Sequence, residues 1–139
     1  MATYILIGDS SSLTVVGAES LIGKRADTVF RTTENGHDMI KLARELQPDV
    51  VLLGDHFDPL FDTLALAESL IRAAPAARII VMGISTDGLI IRDLFALGVC
   101  GYLAAGDDLA TCLLTAIETV LRERPYLSPT ANAEYLITM

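Results

Sequence analysis

Residues 48–55 read Pro48-Asp49-Val50-Val51-Leu52-Leu53-Gly54-Asp55. The four aliphatic residues at the centre are too few for a helix and are bounded by proline–aspartate and glycine punctuation, so they read as a strand. Both faces of such a strand are apolar. It needs cover on both sides, which is the signature of a parallel sheet held between helix layers. Similar runs lie on either side: Tyr4-Ile5-Leu6-Ile7, ended by Gly8-Asp9, and Ile79-Ile80-Val81-Met82. Thr28-Val29-Phe30 and Tyr102-Leu103 add two shorter strands, for five in all. Helical spacing fills the gaps. Ser12 to Ile22 places Leu13, Val16, Gly17 and Leu21 on one face, with Ser12 as N-cap. Asn35-Gly36 is a turn, after which Met39, Ile40, Ala43 and Leu46 recur at helical spacing. Further helices are predicted from about Thr63 to Ala74, from Thr86 to Leu97, and from a cap at Asp107 or Asp108 through Leu109, Cys112, Leu113, Ala116, Ile117, Val120 and Leu121.

Five strands alternating with five helices fit the 139 residues as one domain. The composition is both acidic and aliphatic: net charge −8, 52% hydrophobic and 6% aromatic residues, and a mean hydropathy of +0.48. So much apolar material excludes a disordered chain. Ten basic residues against 18 acidic ones argue against direct nucleic-acid binding, which needs clustered Lys and Arg. The most apolar charge-free stretch, Leu94 to Gly106, is interrupted by three glycines and falls short of the roughly 20 residues a membrane span requires. Asp9 interrupts the N-terminal run and no basic segment precedes it, so no signal peptide is read. Cys100 and Cys112 make neither a disulfide framework nor a zinc site and read as core thiols. The expected location is the cytoplasm.

Parallel α/β sheets work at the carboxyl ends of their strands. The segments that matter are therefore Gly8 to Ser12, Gly54 to Asp58, Gly83 to Thr86 and Ala104 to Gly106.

Several pieces, in order, carry a family likeness: Tyr4-Ile5-Leu6-Ile7-Gly8-Asp9; Asn35-Gly36 with Ile40-Lys41-Leu42-Ala43; Pro48 to Leu53; Pro59 with Asp62; Gly98; Gly101-Tyr102-Leu103; and Tyr126-Leu127-Ser128-Pro129. Over about residues 3 to 129 the chain resembles the receiver domain of bacterial response regulators, in particular those preceding a helix-turn-helix domain of the LuxR/NarL type. The resemblance implies a flavodoxin-like, doubly wound five-stranded parallel sheet in the order 2-1-3-4-5. It implies a receiver over 1–127 and the start of a linker helix, or a tail, over 128–139. It also implies a mechanism. Acids after the first strand and an aspartate after the third bind Mg²⁺, the aspartate takes a phosphoryl group from a histidine kinase, and a Ser/Thr and a Lys after strands four and five hold the product anion.

This chain departs from that pattern at most of those positions. The two adjacent acids are Asp9 and Ser10. The acceptor position directly after the third strand is Gly54, while counting back from Pro59 and Asp62 puts Asp55 there instead. The hydroxyl position is Gly83 and the lysine position is Ala105. The expectation is an atypical, phosphorylation-independent receiver: a non-enzymatic signalling or dimerisation module, controlling transcription through a following helix-turn-helix domain, with no cofactor and no bound metal. Two alternatives stay open. Asp55 could be a weakly active acceptor, or the emptied acidic pocket could sense a small ligand.

Other readings are weaker. Gly8-Asp9-Ser10 matches the opening block of GDS-type serine esterases, but the only histidines are His37 and His56, and that family's base arrives late in the chain. Ser10-Ser11-Ser12-Leu13-Thr14 lacks the glycine of a flavin phosphate loop, and Asp9 would repel an anion. Asp55, His56, Asp58 and Asp62 could hold a cation, but a solvated acidic loop is the simpler reading. The fourth helix carries more apolar residues than one buried stripe uses: Leu89, Ile90, Ile91, Leu94, Phe95 and Leu97. A homodimer through helix 4, strand 5 and helix 5 is expected, with Ile90, Ile91, Leu94, Phe95 and Tyr102 at the interface. A signalling partner protein is the other expected contact.

Overall fold

The computed structural model describes residues 2–83 and 87–138. The elements are β1 (Thr3–Gly8), α1 (Ser12–Ile22), β2 (Thr28–Thr32), α2 (Gly36–Leu46), β3 (Val50–Gly54), α3 (Thr63–Ala73), β4 (Arg78–Gly83), α4 (Gly88–Leu97), β5 (Gly101–Ala104), α5 (Leu109–Leu121), β6 (Tyr126–Leu127) and α6 (Pro129–Ile137). All strand pairs are parallel, in the order β2-β1-β3-β4-β5-β6. The five predicted strands are present in the predicted order. The sheet has a sixth, formed by Tyr126 and Leu127, that was not expected. Tyr126 N–H donates to the Cys100 carbonyl at 3.0 Å and Ser128 N–H to the Tyr102 carbonyl at 3.0 Å. The Ser128 hydroxyl oxygen accepts from Ala104 N–H at 2.9 Å.

Strand side chains alternate between faces, and this divides the core. Ile5, Ile7, Val50, Leu52, Ile80, Met82 and Leu103 pack on α1 and α5. Leu6, Val51, Leu53, Ile79, Val81, Tyr102 and Ala104 pack on the layer of α2, α3, α4 and α6. The doubly covered strands thus account for much of the aliphatic excess. Among the described residues no helix is long and apolar enough to cross a membrane.

Caps and faces refine the sequence reading. Ser11, not Ser12, caps α1, accepting from Thr14 N–H at 3.2 Å. Asp62, Asp87 and Asp108 cap α3, α4 and α5. Asn35, read as a turn residue, is the N-cap of α2. The buried side of α1 is Ala18 and Ile22, while Leu13 is 82% exposed and Val16 62%. The predicted helix start at Thr86 and the 84–86 part of the predicted loop lie outside the described residues.

Helix α6 answers the question posed by α4. It packs along α4 so closely that a Cβ at Gly88 would sit 2.2 Å from the Glu134 carbonyl oxygen. Phe95 meets Tyr135, with ring centroids 6.0 Å apart, and Ala131 is fully buried. Ile91, Leu94 and Tyr102 are buried within the chain. They cannot offer area to a second copy, so their predicted place at a dimer interface is corrected. The Ile91, Leu94 and Phe95 side of α4, which seemed to need a partner, is covered by the chain itself, with α6 against Phe95; Leu89 and Ile90 stay exposed.

Candidate functional site

The strand order reverses between β1 and β3, and there the loops leaving the sheet diverge to open a crevice. A cavity of about 380 Å³ lies at this carboxyl edge. Asp9, Ser10, Ser11 and Thr14 line it from the β1 side, Asp55 and His56 from β3, Met82 and Gly83 from β4, and Leu103, Ala104, Ala105 and Asp107 from β5. Leu109 and Cys112 of α5 close the floor. Five of the six predicted pocket positions, Asp9, Ser10, Asp55, Gly83 and Ala105, therefore line one cavity. Gly54 lies directly behind Asp9.

Asp9 stands at the end of β1, one residue past Gly8. One carboxylate oxygen accepts from Ser11 N–H at 2.8 Å. The other presses on the β3 backbone: a Cβ at Gly54 would lie 2.2 Å from it. Gly54 is what lets the carboxylate sit there. Burial pushes the Asp9 carboxyl above its ordinary value, opposed by the Ser11 hydrogen bond.

Asp55 is held sideways. Its N–H donates to the Met82 carbonyl at 2.8 Å, and its carboxylate accepts from the Thr63 hydroxyl at 2.5 Å. His56, in the left-handed region at φ 58°, lies 3.8 Å from the same carboxylate with its ring mostly in solvent.

Gly83 and Tyr102 are matched in the same way as Gly54 and Asp9. A Cβ at Gly83 would lie 1.9 Å from the Tyr102 hydroxyl oxygen. The phenol end of Tyr102 thus uses space that a side chain on β4 would need. Across the cavity, Asp107 is saturated with hydrogen bonds. Its carboxylate accepts from Thr130 N–H at 2.9 Å and from the Thr130 hydroxyl at 2.7 Å. The hydroxyls of Ser128 and Thr130 hold it below the usual carboxylate range.

The resemblance implies Mg²⁺ at this edge, and the residues present do not fit it. A hard cation needs several convergent oxygens. The Asp9 oxygens are directed at Ser11 and Gly54, and Asp55 is turned to Thr63. Among the described residues no group of three or more His, Cys, Asp or Glu is placed to hold a metal ion.

The acidic loop after β3 is not the solvated loop expected. Asp58 is buried and ties that loop to α2, accepting from Gly36 N–H at 2.8 Å and Leu60 N–H at 2.9 Å. Those two bonds hold its carboxyl below the ordinary value. Asp62 only caps α3. Sequence reasoning took Asp58 for part of a solvated loop and missed the Asp107–Thr130 latch. The signal for the latch was Ser128-Pro129, a helix-start pair that marks α6.

No protein-family model matches the chain. Response regulator GacA of Pseudomonas aeruginosa is 29% identical over 126 residues, which is 90% of this chain and 58% of GacA. A LuxR-family two-component response regulator from Aurantimonas sp. SI85-9A1 superposes with a TM-score of 0.89 at 22% identity, covering 99% of this chain and 98% of that one. The chain carries a response-regulator receiver domain. A third likeness is RcsB of Salmonella enterica serovar Typhimurium, whose structure bound to a promoter superposes with a TM-score of 0.85 at 15% identity, over 96% of this receiver and 66% of RcsB. The receiver spans less than two-thirds of the length of GacA.

Placed in that fold, the register sets Asp9 beside Gly54 at the ends of β1 and β3, because Gly8 pairs with Leu53. Gly54 also pairs with Met82, and Gly83 with Ala104. The receiver's strand-end positions are thus Asp9, Gly54, Gly83 and the Ala104–Ala105 pair.

Proposed function

We propose that this receiver works by interaction and not by phosphoryl transfer. The observation that carries the reading is the contact between Asp9 and Gly54. The strand-end position on β3 has no side chain, and the neighbouring carboxylate fills the room that one would need. Asp55, one residue on, has its carboxylate engaged by Thr63. Gly83 and Ala105 supply neither a hydroxyl nor an ammonium to hold a phosphoryl anion. Among the described residues lining the cavity, none is Lys or Arg. Incubation with acetyl phosphate and Mg²⁺, read by intact mass, is expected to give no adduct. A beryllofluoride titration is expected to give no saturable shift. A Mg²⁺-dependent adduct on Asp55 would overturn the reading.

The wider role follows the relatives: a cytoplasmic transcription regulator whose DNA-binding domain lies beyond residue 139, with the receiver controlling it by contact. The partial coverage of GacA and RcsB supports this, and sequencing the complete reading frame tests it. For a homodimer through α4, the apolar area available is Leu89 and Ile90, which are 51% and 41% exposed. Light scattering is expected to show a dimer that Ile90→Asp disperses; a monomeric wild type removes this part of the proposal.

A further inference from the structure

The cavity at the carboxyl edge combines three features that belong together in a ligand site. Its volume of about 380 Å³ falls in the range of small-molecule pockets. Its floor is apolar, built from Met82, Leu103, Leu109 and Cys112. Its rim carries Asp9 and Asp55 from the neighbouring β1 and β3 loops, with no Lys or Arg among the described lining residues to neutralise them. An anion would be repelled there. A fully apolar molecule would leave the half-buried Asp9 without a counter-charge. Mg²⁺ is a poor match, because the two carboxylates are engaged on different groups and do not converge.

We propose that this cavity binds a small organic cation with an apolar body, an arylalkylamine in class, its ammonium on Asp9 and its ring over the apolar floor of Leu103 and Leu109. The ammonium would give the half-buried Asp9 carboxylate the counter-charge it lacks, and charge-assisted hydrogen bonds of that kind are the strong ones. The ring would displace water from the apolar floor. Ala105 keeps the rim open, since a longer side chain there would project into this edge of the sheet. The inference rests on the reading that the pocket has left phosphoryl chemistry.

The absence of tryptophan from the chain gives a direct assay. The anisotropy of tryptamine fluorescence is followed as the full 139-residue protein is titrated in. Saturable binding is expected, with indole-3-acetate weaker by about tenfold or more, the factor a single lost charge-assisted contact gives. Ala105→Lys, an exposed substitution that places an ammonium at the rim, is expected to abolish tryptamine binding while leaving the melting temperature unchanged. A second measurement needs no variant. Tryptamine is expected to slow alkylation of Cys112, which lines the cavity, and not of Cys100, which does not. Equal affinity for tryptamine and indole-3-acetate, binding that survives Ala105→Lys, or no saturable binding with unprotected Cys112 would each overturn the proposal. Beryllofluoride with Mg²⁺ displacing tryptamine would instead overturn the phosphorylation-independent reading, so the two failures are distinguishable.

Discussion

The two walls of the cavity each carry a carboxylate, and they treat it in opposite ways. On the β1–β3 wall, Asp9 is half-buried, has one backbone donor and lies against bare backbone at Gly54, so its proton affinity is raised. On the β5–α6 wall, Asp107 is surrounded by the donors of Ser128 and Thr130, so its proton affinity is lowered. The same side chain is a liability on one wall and a fastener on the other. Burial of Asp9 on one wall, and the donors aimed at Asp107 on the other, make the difference. A carboxylate kept at a cost to stability belongs to function more readily than one spent on structure.

The contrast can be broken hardest at Gly83. Gly83→Thr drives a Cβ into the Tyr102 hydroxyl and disturbs the settled wall. A loss of about 1–3 kcal/mol is expected from overpacking, read by urea unfolding. Pairing it with Tyr102→Ala should make the two changes non-additive, because the clash is then gone. If Gly83→Thr is neutral, Tyr102 is not seated where β4 needs room.

Asp107→Asn is the next largest. It removes a charged acceptor from Thr130 and should cost about 1 kcal/mol, with the loss concentrated in α6. Hydrogen exchange should rise across residues 129–137 and stay unchanged in β1. Uniform acceleration would mean that Asp107 does not fasten α6.

The smallest effect has the opposite sign. Asp9→Asn keeps the acceptor for Ser11 and removes the half-buried charge, so at neutral pH it should gain about a few tenths of a kcal/mol, solvent screening taken into account. The pH dependence separates the walls. Asp107 and Asp58 have carboxyls held below 3.8, so their stabilisation is present above that value and lost as pH falls through their folded pKa values. Asp9 lies above 3.8, so its cost is relieved as pH falls through its own, higher value. Urea midpoints between pH 7 and about pH 2.5 should show the Asp9→Asn gain vanish first and the general loss set in lower.

How much of this the sequence carries depends on the range of the interactions involved. The strands were legible because Val50 to Leu53 and Ile79 to Met82 are apolar on both faces, a signal contained in the run itself. The edges of the site were legible because each follows a strand directly. The cover on α4 was not. It depends on Gly88 meeting Glu134, a contact between residues 46 positions apart whose only local trace is a glycine. The exposed face of α1 was misread because Leu13 and Val16 have the right spacing, while the small Ala18 is what actually faces the sheet. Asp58 was misread for a related reason. Its buried state depends on the backbone N–H of Gly36, and sequence does not show where a backbone donor will point.

The two-residue β6 has a consequence for how the molecule behaves among its own copies. Without it, the β5 border would offer the Cys100 and Tyr102 carbonyls and the Ala104 N–H as an open ladder backed by aliphatic core. Such a border is a template for strand pairing between chains, and hence for aggregation. Tyr126 to Ser128 closes it, and a strand of two residues is itself too short to recruit another. Tyr126 to Ser128 is the sheet's selvedge: with the chain cut away before Tyr126, a protein would remain that still forms its strands but sticks to its neighbours.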